Sequence, residues 1–282
     1  MDILLTGSKG KLGREIQSLL DVKGLSLEED AEISADISQT STITKIVEEN
    51  PSVIIHTAAI HANECEEDKE KCQKVNVEGT KNIVEAAEKV DAHLIFISSS
   101  HVFSGTTFEE YTEESKTDPV LEYGKSKKKG EDIVSSLSRH TILRSSLMYG
   151  STQTQEATSG NFFSWAKSGL EAGKEIDIIM DQVNSPVYVG DVAKVVEEAV
   201  KKERYGLYNV ASQDSLSRYM AVKELKNIFE LGGKINPILR EDLGWQNRGF
   251  DYTMSINKLK NNFDYTPSKF TEGVKRWKEA QS

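Results

Sequence analysis

Ile3-Leu4-Leu5-Thr6-Gly7-Ser8-Lys9-Gly10-Lys11-Leu12-Gly13 decides the fold. Its three leading apolar residues suit a short strand buried on both faces. The run after Gly7 passes straight into a helical pattern of Leu12, Ile16, Leu19 and Leu20. A strand, a turn with glycines spaced G-x2-G-x2-G, and a helix predict the first βα unit of a dinucleotide-binding sheet. The first glycine permits the tight turn, the second lets backbone approach a pyrophosphate, and the third admits close helix packing. Backbone N–H groups and the positive end of the helix dipole then hold the phosphates. Gly7, Ser8, Lys9, Gly10, Lys11, Leu12 and Gly13 are therefore candidate cofactor contacts.

Outward from this turn, short apolar runs alternate with longer amphipathic stretches. Val53-Ile54-Ile55, Leu94-Ile95-Phe96-Ile97 and Thr141-Ile142-Leu143 read as further buried strands; residues 70–90 and the stretch after Tyr123 read as helices. Buried strands separated by helices predict an α/β fold with a doubly wound parallel sheet. A second strand belongs between residues 21 and 37, where Gly24-Leu25-Ser26-Leu27 is a poor candidate. Asp36 and Ile37 follow it and are placed to flank an adenine. Beyond Gly150 the pattern loosens into a polar loop over 151–160, a helix opened by Phe162, Phe163 and Trp165, and a strand at Ile176-Asp177-Ile178-Ile179. A helix from Val189 to Val200, a strand at 206–210 and a helix over 215–231 follow. The expected division is a dinucleotide-binding lobe over 1–150, joined by 187–211, and a smaller substrate-binding lobe from 151–186 and 212–282.

The chain has 282 residues, with 35 Lys and Arg against 45 Asp and Glu, a formal charge of −10. That balance argues against nucleic acid, whose binding depends on dense basic side chains. No apolar stretch approaches the roughly 20 residues of a membrane span, and an apolar run starting at Ile3 leaves no room for a secretory leader. Cys65 and Cys72 are too few for a disulfide framework, and one C-x6-C pair is not a zinc pattern. The expectation is a cytoplasmic protein with no metal site; a homodimer is left open.

Tyr123 and Lys127 stand one helical turn apart on one face. A free phenol has a pKa near ~10 and gives up its proton poorly at neutral pH. A nearby ammonium stabilises the phenolate and makes the tyrosine a usable general acid. Ser98, Ser99 and Ser100 close a strand of the predicted sheet at its carboxyl end, where such sheets place their ligands. His56, on a strand end, reads as a hydrogen-bonded core histidine, whereas His101 lies close enough to the serines to contact substrate.

Together these blocks resemble the extended short-chain dehydrogenase/reductase superfamily, and most closely its dTDP-4-dehydrorhamnose reductase branch. The matching blocks are Gly7 to Gly13, Pro51 to Ile60, Ser98 to Gly105, Tyr123 to Glu131, Arg144 to Gly150, Asp181-Gln182 with Ser185-Pro186, and Asp191-Val192-Ala193. The resemblance implies a Rossmann-like fold and the catalytic set Ser99, Tyr123 and Lys127. It implies NADPH or NADH as cofactor, with Ala58, Ala59, Ile60, Asn76, Ser98, Tyr123 and Lys127 joining the glycine turn, Asp36 and Ile37 around it. It also implies a nucleotide-sugar substrate held by His101, Asn161, Phe162 and Arg248. The choice between NADH and NADPH stays open: no acidic residue closing the second strand can be placed, while Lys9 and Lys11 suit a 2′-phosphate. The chain departs from the branch at Ser100, His101, Leu147, Asn209, Leu216 and Gly249, which bears on the identity of the sugar. The serine block is also similar to the regulatory β subunit of methionine adenosyltransferase, a dinucleotide-binding alternative. A sugar-nucleotide epimerase is the other.

Overall fold

Alternate residues of each apolar run face opposite sides of one sheet, because successive strand side chains point to opposite faces. Leu5, Ile55, Ile95, Ile97 and Leu143 pack on one side, and Leu4, Ile54, Leu94, Phe96 and Ile142 on the other. Such strands need helices on both sides, and the computed structural model, which describes residues 1–151, 162–245 and 248–281, supplies them.

The chain opens with β1 (Ile3–Thr6), α1 (Lys11–Gln17), β2 (Lys23–Ser26), β3 (Ile33–Ser34), α2 (Ser41–Glu49) and β4 (Val53–His56). It continues with α3 (Ala62–Glu67), α4 (Lys69–Cys72), α5 (Gly79–Lys89), β5 (His93–Ser99), α6 (Glu122–Val134), β6 (His140–Ser145) and β7 (Met148–Tyr149). Then come α7 (Phe162–Glu171), β8 (Glu175–Ile179), β9 (Val183–Asn184), β10 (Val187–Tyr188), α8 (Val189–Lys201) and β11 (Gly206–Val210). Last are β12 (Leu216–Ser217), α9 (Arg218–Phe229), β13 (Lys234–Ile238), β14 (Asp251–Tyr252), α10 (Asn257–Asn262) and α11 (Phe270–Glu279). Seven strands form one parallel sheet in the order β11-β6-β5-β4-β1-β2-β3, the doubly wound arrangement the sequence predicts. Three small sheets, β10-β7, β12-β9-β14 and β13-β8, lie outside it.

The local details of these elements add to the sequence reading. The weak second strand forms because Gly24 lets it close on the turn: a Cβ there would lie 2.9 Å from the Ser8 side chain. The helix expected over 70–90 is present from Lys69 to Lys89, with a π-helical turn, Gln73–Glu78, set between α4 and α5. The helix expected over 215–231 spans only Arg218–Phe229, because Ser217 caps it by accepting from the Met220 N–H at 3.2 Å. Cys65 and Cys72, too few for a disulfide framework, form a single local disulfide: α3 and α4 break direction at Asp68, which sets the two Cα atoms 4.8 Å apart. Among the described residues no helix is long and apolar enough to cross a membrane.

Candidate active site

The glycine turn is built as a cradle. Gly7 has φ +70°, and a Cβ on it would meet the Ala58 backbone nitrogen at 2.8 Å, so the turn lies directly against the loop after β4. Its N–H donates to the Leu25 carbonyl at 2.9 Å, and the Gly10 N–H to the Gly7 carbonyl at 2.9 Å. Gly10 caps α1 with no side chain over the first-turn N–H groups, an arrangement that fits the phosphates of a dinucleotide. Lys9 is committed elsewhere, in an ion pair with Asp30 at 2.7 Å, and Lys11 reaches Ser164 of α7 at 3.3 Å. Asn76, in the π-helical turn, clamps Ile60 by accepting from its N–H at 2.9 Å and donating to its carbonyl at 3.1 Å. The Ser98 hydroxyl donates to Glu131 at 2.6 Å and is buried with it. Asp36 accepts from the Ser38 N–H at 2.9 Å, and the Ile37 carbonyl accepts from Asn82 at 2.8 Å. These two residues form the bend after β3.

At the carboxyl end of β5, Ser99 accepts a hydrogen bond from the His101 N–H at 3.2 Å as the chain turns into a short 3-10 segment. Against that turn lies the start of α6. Gly124 allows this approach: a Cβ would sit 2.1 Å from the His101 carbonyl oxygen. The contact brings Tyr123 to face Ser99, close enough for the hydroxyl to act on its phenol. Burial pushes the phenol up to about 12, and the neighbouring Ser99 hydroxyl pulls the other way. Lys127, one turn along, is buried with its ammonium 4.3 Å from the Phe96 ring centroid. Burial lowers its pKa to about 7, against the opposing charge of Glu131. The expected lowering of Tyr123 by Lys127 is thus not what the structure shows, because desolvation dominates both groups.

His101 faces the same site, its ring 6.2 Å from that of Tyr123 and 5.0 Å from that of Tyr252. Burial, and then the charges of Arg218 and Arg248, lower its pKa to about 4. His56, by contrast, is the core histidine expected, with its ring nitrogens 2.7 Å from the Thr6 hydroxyl and 3.2 Å from that of Thr80. Arg248 stacks 3.8 Å from the Trp245 ring, in a segment tied to the site by the Phe250 N–H, which donates to the Gly105 carbonyl at 2.7 Å. Phe162 packs under Arg218, its ring centroid 4.7 Å from the guanidinium carbon. Asn161 lies outside the described residues. Sequence reasoning missed Arg218 and Trp245, because nothing local to either marks the encounter. It also missed Glu131 as a hub, although the Tyr123 to Glu131 block contains it. No group of three or more His, Cys, Asp or Glu among the described residues is placed to hold a metal ion.

Comparison with known proteins agrees with this architecture. The model of the RmlD substrate binding domain family matches residues 1–281. A dTDP-4-dehydrorhamnose reductase from Aggregatibacter actinomycetemcomitans is 28% identical over 97% of this chain and 97% of its own. The crystal structure of a dTDP-4-dehydrorhamnose reductase from Clostridium acetobutylicum superposes with a TM-score of 0.88 at 28% identity, covering 99% of both chains. That of a Bacillus anthracis dTDP-4-dehydrorhamnose reductase in complex with NADP gives 0.89 at 26% identity, over 100% of this chain and 99% of its own. With a family model spanning all but its last residue, this chain belongs to the RmlD substrate binding domain family, within the extended short-chain dehydrogenases/reductases.

Proposed function

We propose that this protein is an NAD(P)H-dependent oxidoreductase that reduces the carbonyl of a nucleotide-linked 4-keto-6-deoxysugar, as its relatives' name, dTDP-4-dehydrorhamnose reductase, describes for them. The observation that carries this is the convergence of Ser99, Tyr123 and Lys127 at the carboxyl end of β5, on the same end of the sheet as the glycine turn. A bound reduced nicotinamide supplies the hydride. Tyr123 holds the proton that the carbonyl oxygen takes up, and burial keeps that phenol protonated throughout the neutral range. The Ser99 hydroxyl, facing Tyr123, polarises the same oxygen. Lys127 holds the cofactor ribose and, when charged, favours the phenolate left behind. The glycine turn, with the loop that Asn76 secures through Ile60, cradles the cofactor phosphates and the adjoining ribose. The regulatory-subunit alternative, which keeps the dinucleotide without turnover, is disfavoured by this intact set. The cytoplasm, where the NAD(P)H pool lies, is the compartment we assign.

The test follows NADPH and NADH oxidation across a panel of keto sugar nucleotides that includes dTDP-4-dehydro-L-rhamnose. Tyr123→Phe is expected to lower turnover by roughly 100- to 10,000-fold while sparing cofactor affinity. Wild-type-like turnover in that variant would sink the assignment.

A further inference from the structure

A chain with ten more acidic than basic residues places two guanidiniums in one cleft, with no carboxylate in contact with either among the described residues and only Glu66 acting on Arg248 from a distance. Arg218, the first residue of α9, is fixed at its base: its N–H donates to the Gln182 carbonyl at 3.0 Å and its Nε to Gln182 Oε1 at 2.6 Å. Gln182 is itself buried and donates to the Gly249 carbonyl at 2.7 Å, next to Arg248 in the chain. Two rings flank the Arg218 guanidinium, with Phe162 at 4.7 Å and Trp245 at 6.0 Å, and Trp245 carries Arg248 at 3.8 Å. Among the described residues neither arginine has an ion pair, and the two Nη groups of Arg218 make no hydrogen bond. Other arginines of this protein are neutralised: Arg144 by Glu131, Arg240 by Asp181, Arg276 by Asp191.

Holding like charges in a shared, partly desolvated place is unfavourable unless an anion joins them. The mutual effect is visible, since burial and then the Arg248 charge lower Arg218 to about 10. Gly249, next to Arg248, donates its N–H to the Tyr252 hydroxyl at 3.2 Å, and the Tyr252 ring lies 5.0 Å from that of His101, which borders Tyr123, so the pair lies beside the reacting end of the site. Each guanidinium presents a planar fork of donors suited to a phosphoryl group. Two forks match two adjacent phosphoryl groups and their double charge.

We propose that Arg218 is a specificity-determining residue for the substrate, forming with Arg248 a two-guanidinium clamp on the diphosphate of the nucleotide sugar. This inference rests on the sugar-nucleotide reading above and adds the second cation. The clamp selects nucleoside diphosphates over nucleoside monophosphates, because a single phosphoryl group engages only one fork. Phe162 and Trp245 hold the Arg218 plane in register, and Gln182 prevents its rotation.

Calorimetric titration of dTDP, UDP and dTMP into wild type, Arg218→Gln and Arg218→Lys tests this without requiring turnover. Wild type is expected to bind dTDP at least roughly 10-fold more tightly than dTMP. Arg218→Gln should lose roughly 10- to 100-fold in dTDP affinity and much less for dTMP, collapsing the preference. Arg218→Lys, which keeps the charge but not the fork, should fall between. Unchanged NADPH affinity in both variants shows that the fold is kept. Wild type that binds dTDP while Arg218→Gln keeps the full diphosphate preference overturns the role of Arg218 alone. Wild type that binds neither dTDP nor UDP overturns this role and the sugar-nucleotide reading together.

Discussion

Glu131 shows how much of the site depends on a residue that touches no substrate. Its carboxylate accepts from Ser98 at 2.6 Å and from Arg144 Nε and Nη2 at 2.9 and 2.8 Å, all within the core. Arg144 in turn lies 5.0 Å from the Phe103 ring and donates to the Glu113 carbonyl at 3.3 Å. One charge pair therefore ties β5, β6 and α6 together immediately behind Ser99 and Lys127. A buried pair adds little over a well-packed apolar substitute, but breaking it leaves a charge stranded. Glu131→Gln keeps the shape and removes the charge, so Arg144 loses its counter-ion. A loss of about 3–5 kcal/mol in urea unfolding is expected. Lys127 should titrate lower still, because Glu131 is what opposes its desolvation. Unchanged unfolding in the variant would show that Arg144 finds its charge balance elsewhere.

At the scale of elements, the catalytic geometry is a docking problem between α6 and the turn after β5. Gly124 sets their separation, and any Cβ there collides with the His101 carbonyl, a backbone atom that cannot rotate away. Gly124→Ala must push α6 outward and carry Tyr123 from Ser99, while the glycine turn after β1 stays as it is. Turnover is expected to fall by roughly 100-fold, since misplacement of about 1 Å has that cost, with a stability loss of about 1–3 kcal/mol. Steady-state kinetics and urea unfolding measure the two effects separately. Parallel strands, the glycine turn and the Tyr123-Lys127 spacing were legible in the sequence because each is a local pattern with a local cause. β2 was nearly hidden, because its stability comes from the fit of Gly24 against Ser8 and not from an apolar run. The π-helical turn was hidden for a similar reason: Asn76 is held there by Ile60 and by Ser126 at 3.0 Å, partners 16 and 50 residues away. Ser98 looked free for a ligand because its buried partner, Glu131, stands 33 residues along the chain.

For the molecule as a whole, the three most strongly lowered histidines, His56 and His93 in the core and His101 half-buried at the site, set the response to acid. Burial lowers His56 to about 3 and, with nearby positive charge, His93 and His101 to about 4. In the unfolded chain all three titrate near ~6.5. As pH falls from about 6.5 towards 4, the unfolded chain therefore takes up protons that the native state refuses. Stability must fall with pH across that window, by up to about 1 kcal/mol per pH unit for each histidine. Lys127 leaves this window untouched, since its lowered pKa of about 7 makes stability rise with pH only between there and its ordinary value. The formal charge of −10 acts in the opposite sense, because protonating surface carboxylates relieves their repulsion as the solution becomes acidic. Those charges are exposed and screened within about 10 Å at 0.1 M salt, whereas the imidazoles are buried or half-buried, so the histidine effect is the larger. Urea midpoints measured at 0.1 M salt should drop steadily between pH 7 and pH 5. His93→Gln, which keeps a polar group beside Thr141 but removes the titration, should flatten that slope measurably. A midpoint that stays level or rises over this range would mean that charge relief wins and that these histidines do not govern acid stability.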